Sequence, residues 1–152
     1  MSAYRIALVD RLLCVQWTSR ITVEDVQSLE ADTLSAYRRV GQRMLNIGVL
    51  GPLSVPEAAV RTRLEKLVVS TREAIELTVI VIPEEGLMTS LLRTAIRASV
   101  MLTGTREQMR IAASMEEALR IVGPRMSIPT SEILRKVGDA GMLDRASGSA
   151  RR

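Results

Sequence analysis

The fold of this chain is decided by the stretch Leu-Thr-Val-Ile-Val-Ile at residues 77–82, which ends at Pro83. Six consecutive apolar or β-branched residues are typical of a strand that is covered on both faces, as in a parallel sheet. Neighbouring parallel strands need a crossover connection, usually a helix. This stretch therefore predicts a buried strand with helices before and after it.

The segments on either side of this strand agree with that expectation. Upstream, apolar residues between 60 and 75 recur at helical spacing, and residues 44–50 form an apolar run interrupted only by Asn46 and Gly48. Downstream, residues 87–102 predict a helix that is apolar on two faces and is stopped by Gly104. A helix so apolar is either enclosed or presents a surface to a partner.

Both ends of the folded region add further elements. Two apolar runs at residues 6–9 and 12–17 predict a β-hairpin, and a helix capped by Thr22 follows. Near the other end, a short strand leads into a helix that begins at Ser114. The order β-β-α-β-α-β-α-β-α predicts an α/β fold with a mostly parallel central sheet, an N-terminal hairpin and helices packed on the sheet.

Charge divides the chain at residue 123. Residues 1–123 carry 15 basic and 14 acidic side chains, whereas residues 124–152 carry six basic and three acidic ones. We interpret 1–123 as the folded domain and 124–152 as a C-terminal tail, with a short helix at 130–137 and otherwise disordered. Because the folded part is nearly neutral and shows no basic stripe, nucleic acid is disfavoured as a partner.

The inventory of reactive residues argues against catalysis. The chain has no histidine and a single cysteine, Cys14, within an apolar run. This composition excludes Ser-His-Asp and Cys-His sets, histidine-ligated zinc and thiolate clusters. No Gly-x-Gly-x-x-Gly, P-loop or EF-hand pattern occurs. The sequence therefore predicts a protein that is not an enzyme and that binds no metal or cofactor.

The same survey predicts where the protein resides. The N-terminus shows no signal-peptide pattern, and the longest apolar window is interrupted by Arg93 and Arg97. We therefore expect a cytoplasmic protein without a membrane span. A lone cysteine fits a reducing compartment.

Charged and apolar residues around the helix at 87–102 form the candidate partner surface. Glu84 and Glu85 follow the buried strand, at the edge of an open sheet where ligands often bind. Arg93 and Arg97 share a helix face, and Met88 belongs to one of its apolar stripes. The alternatives are a solvated loop for the glutamates and the solvent-facing side of the helix for the arginines.

The strand-helix order, the strand at 77–82 with its apolar helix, and the segment Arg-Ile-Ala-Ala-Ser-Met-Glu-Glu-Ala at 110–118 together resemble the STAS family. That family includes the anti-sigma-factor antagonists of bacterial sporulation and stress switches, and the likeness covers residues 4–123. It implies a regulatory protein partner, commonly a kinase, and a phosphorylated serine or threonine after the third strand. Ser54 stands at that place, in a turn that reads Gly-Pro-Leu-Ser-Val-Pro.

Two functions therefore follow from the sequence. The first is a non-enzymatic regulatory module of STAS-like fold that binds another protein, with a second copy of the chain as a further partner left open. The alternative is a module that binds a small molecule or lipid in an apolar cleft between the sheet and the helix at 87–102. Ser54 has its own alternative, because with Glu57 it forms a capping-box pattern for a helix beginning near residue 55.

Overall fold

The computed structural model describes residues 3–50, 56–82, 87–104 and 106–140. The strands are β1 (Tyr4–Val9), β2 (Leu12–Trp17), β3 (Met44–Val49), β4 (Ile75–Val81) and β5 (Met109–Ala112). The helices are α1 (Val23–Val40), α2 (Ala58–Ser70), α3 (Leu87–Thr103), α4 (Met115–Val122) and α5 (Thr130–Asp139). Short 3-10 turns at Arg106–Gln108 and Gly123–Arg125 complete the elements of the described residues.

The strands form one mixed sheet in the order β1-β2-β3-β4-β5. Strand β1 is antiparallel to β2, and the other three pairings are parallel. The α/β class, the mostly parallel sheet and the N-terminal hairpin are thereby confirmed. The hairpin turns at Asp10, whose φ of 54° lies in the left-handed region that aspartate tolerates better than most residues.

Helix α1 shows how the sequence places an element. Thr22 accepts a hydrogen bond from the Asp25 backbone amide, while the Asp25 carboxylate accepts one from the Thr22 amide at 2.8 Å. This reciprocal cap satisfies two backbone donors at the start of the helix. Gly41 ends the helix with a φ of 73°, a conformation that glycine adopts without steric cost.

Side chains alternate between the two faces of the sheet and build two cores. One face carries Leu12, Leu45 and Val79, which pack with buried residues of α4 and α5; we call it the α4–α5 face. The opposite face carries Leu13 and Val15, which pack with residues of α1 and α2. Helix α3 lies on this second face, because crossovers between neighbouring parallel strands are right-handed and α3 packs beside α2. We call it the α1–α3 face.

Helix α5 belongs to the core of the α4–α5 face. It extends two residues beyond the helix predicted at 130–137, and it packs beside β1. Ile133 and Val137 are 0% and 1% exposed, within the same apolar cluster as the strands. The division of the chain at residue 123 stays a prediction. Residues 141–152, for which disorder was predicted, lie outside the described residues.

The predicted start of the second helix is wrong. Helix α2 begins at Ala58, and its N-cap is Glu57, which makes no side-chain capping bond. A helix starting at residue 55 would place Val55 in the α region directly before Pro56, where the proline ring clashes with the preceding residue. Ser54, the other residue of the predicted capping box, lies outside the described residues.

A cluster of charges joins distant parts of the chain at the amino ends of the parallel strands. Arg11 Nη1 donates to Glu76 Oε2 at 2.8 Å, and Arg125 Nη1 donates to Glu76 Oε1 at 2.9 Å. The Arg11 guanidinium also donates to the Arg125 carbonyl at 2.8 Å and to the Arg43 carbonyl at 2.9 Å. Glu76 thus fixes the segment after α4 to the first hairpin.

We expect the substitution Glu76→Gln to lower the free energy of unfolding by about 1 kcal/mol at pH 7. The hydrogen bond from Arg11 holds the pKa of Glu76 below its ordinary value of 4.5, against the opposing effect of burial and with a further contribution from Arg125. A lowered pKa means that this stabilisation is present above about pH 4.5 and is lost as the pH falls through the folded value.

Urea unfolding at pH 7 and pH 3 checks this expectation. The difference between wild type and Glu76→Gln should shrink in acid. The exposed Glu116→Gln serves as a control that should stay within about 0.5 kcal/mol of wild type. A difference that is constant with pH would show that the charge of Glu76 is not what stabilises the fold.

Candidate functional site

The structure describes only part of the predicted partner surface. Ser54, Glu84 and Glu85 lie outside the described residues, and only the backbone of Met88 is described, in the first turn of α3. Arg93 and Arg97 are both described and lie on α3, as the sequence predicted. Arg97 is exposed, whereas Arg93 is half-buried, so the two arginines have different surroundings.

One side of α3 is exposed over about three turns. Its members follow helical spacing and are Ser90, Leu91, Thr94, Arg97, Ala98 and Met101, which we call the α3 outer face. Leu91 is 50% exposed and Met101 is 77% exposed, far more than apolar side chains of a packed helix. Helix α3 contains no acidic residue, so Arg97 gives this face a positive charge. The surface is chemically suited to a partner that is apolar and acidic.

The inner side of α3 holds a second arginine in an unusual state. Arg93 and Ile96 are half-buried and lie one turn apart. The Nε atom of Arg93 is buried and has no hydrogen-bond partner among the described residues. A buried donor without an acceptor is costly to the folded protein.

Gly48 interrupts the apolar side chains of β3, the central strand, on the α1–α3 face of the sheet. A Cβ atom added at Gly48 of β3 would meet no described atom within 4 Å. Gly48 pairs with Val15 on one side and with Ile80 on the other, and Ile80 pairs with Ile111. Ile80 and Ile111 are only half-buried although helices cover this face.

Asn46 lies two residues before Gly48 on the same strand and therefore on the same face. Its Oδ1 atom is buried and accepts no hydrogen bond from any described residue. Buried polar atoms are almost always paired in native proteins, so this one requires an explanation. The sequence already distinguishes these two positions, since Asn46 and Gly48 are the two residues that interrupt the apolar run at 44–50.

We expect the substitution Gly48→Ala to raise the free energy of unfolding by about 0.5–1 kcal/mol. Glycine in a strand interior loses conformational entropy on folding and packs no side chain, and here an added methyl group has room. Thermal and urea unfolding measure the change. The control Gly41→Ala, at a φ of 73°, should have the opposite sign. A loss of stability in Gly48→Ala would show that other atoms already occupy the space beside Gly48.

The single cysteine, Cys14, is a buried free thiol. Burial raises the pKa of the Cys14 thiol to about 12, so the reactive thiolate is strongly disfavoured. No group of three or more Asp, Glu, Cys or His side chains comes together as a metal site within the described residues. None of the described helices has both the length and the apolar character that crossing a bilayer requires.

Comparison with known proteins identifies no family and no relative for this chain. A scan against protein-family models gives no match, and a search of curated proteins finds no significant relative.

Proposed function

We propose that this protein is a non-enzymatic regulatory module of STAS-like fold, which acts in the cytoplasm by binding another protein. The observation that carries the proposal is the α3 outer face, where Leu91 and Met101 are widely exposed on either side of Arg97. Exposed apolar patches that are rimmed by polar residues mark protein–protein interaction sites. The mixed sheet with its N-terminal hairpin supports the proposed fold.

The charge pattern supports a protein as the partner. Aromatic residues and methionine are enriched in the centres of protein interfaces, and arginine supplies directional hydrogen bonds there. Met101 and Arg97 provide such groups within one turn of each other. A partner helix or loop that carries apolar side chains and a carboxylate would bury both.

Photo-crosslinking in the native host tests the proposal directly. A benzophenone amino acid is placed at Thr94 on the α3 outer face or, as a matched control, at Thr62 on α2. Both threonines are exposed, and each donates its hydroxyl to the carbonyl four residues earlier, at 2.9 and 3.0 Å. We expect Thr94 to capture one protein that Thr62 does not capture, and that protein should bind the purified chain saturably. Equal capture at both positions would refute the proposal.

The resemblance to STAS proteins also makes Ser54 a proposed regulatory phosphosite. A phosphate would add about −1.5 to −2 charges. If an acidic partner binds nearby, Ser54→Asp should weaken its binding, whereas Ser54→Ala should bind like wild type. Isothermal titration with the captured partner measures both variants. Identical affinities for the two variants would remove the regulatory role from Ser54.

A further inference from the structure

Three arginines that are far apart in the sequence share one carboxylate at the amino ends of the parallel strands. Arg11 and Arg125 both donate to Glu76, at 2.8 and 2.9 Å. Arg11 also donates to the carbonyl of Arg43 at 2.9 Å. The guanidinium of Arg43 in turn donates to the carbonyl of Ile75, the residue before Glu76, at 3.0 Å. One hydrogen-bonded network therefore holds three guanidinium groups and one carboxylate, and so carries a net charge of +2.

An irregularity in the sheet brings the carboxylate to these arginines. The register of β3 and β4 shifts between Met44 and Leu45, so that Glu76 pairs with no residue of β3. Such a bulge turns a side chain away from its regular direction, and bulges are over-represented next to active sites. The side chain of Glu76 is thereby directed to the edge of the sheet, where Arg11 and Arg125 meet it.

Two of the three guanidinium groups keep donors that face solvent. The Arg125 side chain is 44% exposed, and its Nη1 atom is the one that meets Glu76. Arg43 is exposed, and its Nη2 atom donates to the carbonyls of Ile75 and Arg72. The other nitrogens of both side chains make no hydrogen bond with the residues that the structure describes. The two groups are thus held at neighbouring residues of β4, with donors suited to bidentate binding of an anion.

Groups at this edge that would repel an anion are already engaged. Arg11 donates to two backbone carbonyls there, and Arg43 donates to two more. Asp10 accepts from the hydroxyl of Ser127 at 2.8 Å, and the exposed Glu73 forms no ion pair with the three described arginines of the network. The network therefore keeps an excess of positive charge that the described residues do not neutralise.

We infer that this edge of the sheet binds a diphosphate group through Arg43 and Arg125. A phosphate offers three acceptor oxygens and about −1.5 to −2 charges, more than a carboxylate does. Two linked phosphates supply one acceptor group to each guanidinium and offset the excess charge of the network. The site includes no residue of the α3 outer face, so it does not depend on the proposed protein partner.

Calorimetric titration of inorganic pyrophosphate into the full chain tests this inference. The titration is made in about 0.15 M sodium chloride, which screens diffuse attraction to exposed charges. We expect saturable binding of one pyrophosphate per chain. Orthophosphate should bind at least about tenfold more weakly, a difference of about 1.4 kcal/mol, because it reaches only one of the two guanidinium groups. Titration with ADP distinguishes the sources of the group, since tighter binding of ADP assigns it to a nucleotide and weaker binding assigns it to free pyrophosphate.

Variants of the two arginines assign the site. Arg43→Gln and Arg125→Gln should each weaken binding of pyrophosphate at least about tenfold. The matched control is Arg61→Gln, at an exposed position in the first turn of α2, and it should bind like wild type. Circular dichroism shows whether each variant is folded. If Arg125→Gln does not fold, Arg43→Gln decides the matter, because the Arg43 guanidinium bonds to backbone carbonyls and not to Glu76.

Three results would overturn the inference. The first is the absence of saturable pyrophosphate binding to wild type, as expected if the arginines only cap carbonyl groups. The second is equal affinity of wild type for pyrophosphate and orthophosphate, or of wild type and Arg43→Gln for pyrophosphate. The third is an equal loss of affinity in Arg61→Gln, which would indicate general attraction to a basic protein. None of these results changes the outcome of the crosslinking at Thr94, which tests the α3 outer face separately.

Discussion

The substitution Ile133→Ala is expected to lower the free energy of unfolding by about 3 kcal/mol. Ile133 is completely buried on α5 and shares a core cluster with the sheet, so truncation removes apolar contacts and leaves a cavity. Urea unfolding followed by Trp17 fluorescence measures the loss. The control Arg135→Ala, at an exposed position of the same helix, should change stability by less than about 0.5 kcal/mol.

Two shortened chains provide an independent check that α5 contributes to the core. Ending the chain after Val137 keeps both buried side chains of α5 and should change stability by less than about 1 kcal/mol. Ending it after Pro129 removes Ile133 and Val137 together and should cost more than Ile133→Ala alone. Equal stability of the two shortened chains would show that α5 does not contribute to the core.

The substitution Ala98→Glu is expected to weaken binding of the captured partner at least about tenfold, or about 1.4 kcal/mol. Ala98 is exposed on the α3 outer face next to Arg97. A carboxylate there would neutralise the positive charge, repel an acidic partner and require desolvation within an apolar interface.

The control for this prediction is Ala31→Glu, which makes the same change at an exposed position of α1. Both variants should keep the stability of wild type within about 0.5 kcal/mol, because neither side chain is buried. Only Ala98→Glu should lose affinity in surface plasmon resonance. Equal losses in both variants would indicate a general charge effect instead of a binding surface on α3.

Local sequence patterns were sufficient to predict the strands and most of the helix ends. The run at 77–82 identified β4 to within two residues, and Thr22 and Gly41 marked both ends of α1, because capping is a local interaction. The serine-glutamate spacing at 54–57 predicts a start for α2 that is three residues too early, because a helix beginning at residue 55 would conflict with the restriction that Pro56 puts on the preceding residue.

Burial was less predictable than secondary structure because it depends on contacts between distant segments. Helix α5 has few apolar residues and would be marginal in isolation, yet Ile133 and Val137 are in the core. For α3, two apolar stripes left open which one faces outward. The exposure of Leu91 and Met101 is decided by the placement of α3 beside α2, which no pattern within α3 contains.

The order of the strands has a consequence for synthesis on the ribosome. Each strand pairs with the one made immediately before it, so the sheet can grow one strand at a time as the chain emerges. Helix α5 is an exception, since it packs beside β1, which is made first. The apolar surface of the β1–β2 hairpin on the α4–α5 face therefore stays uncovered until residues 130–137 have been synthesised. A nascent chain released before then exposes this surface to other proteins.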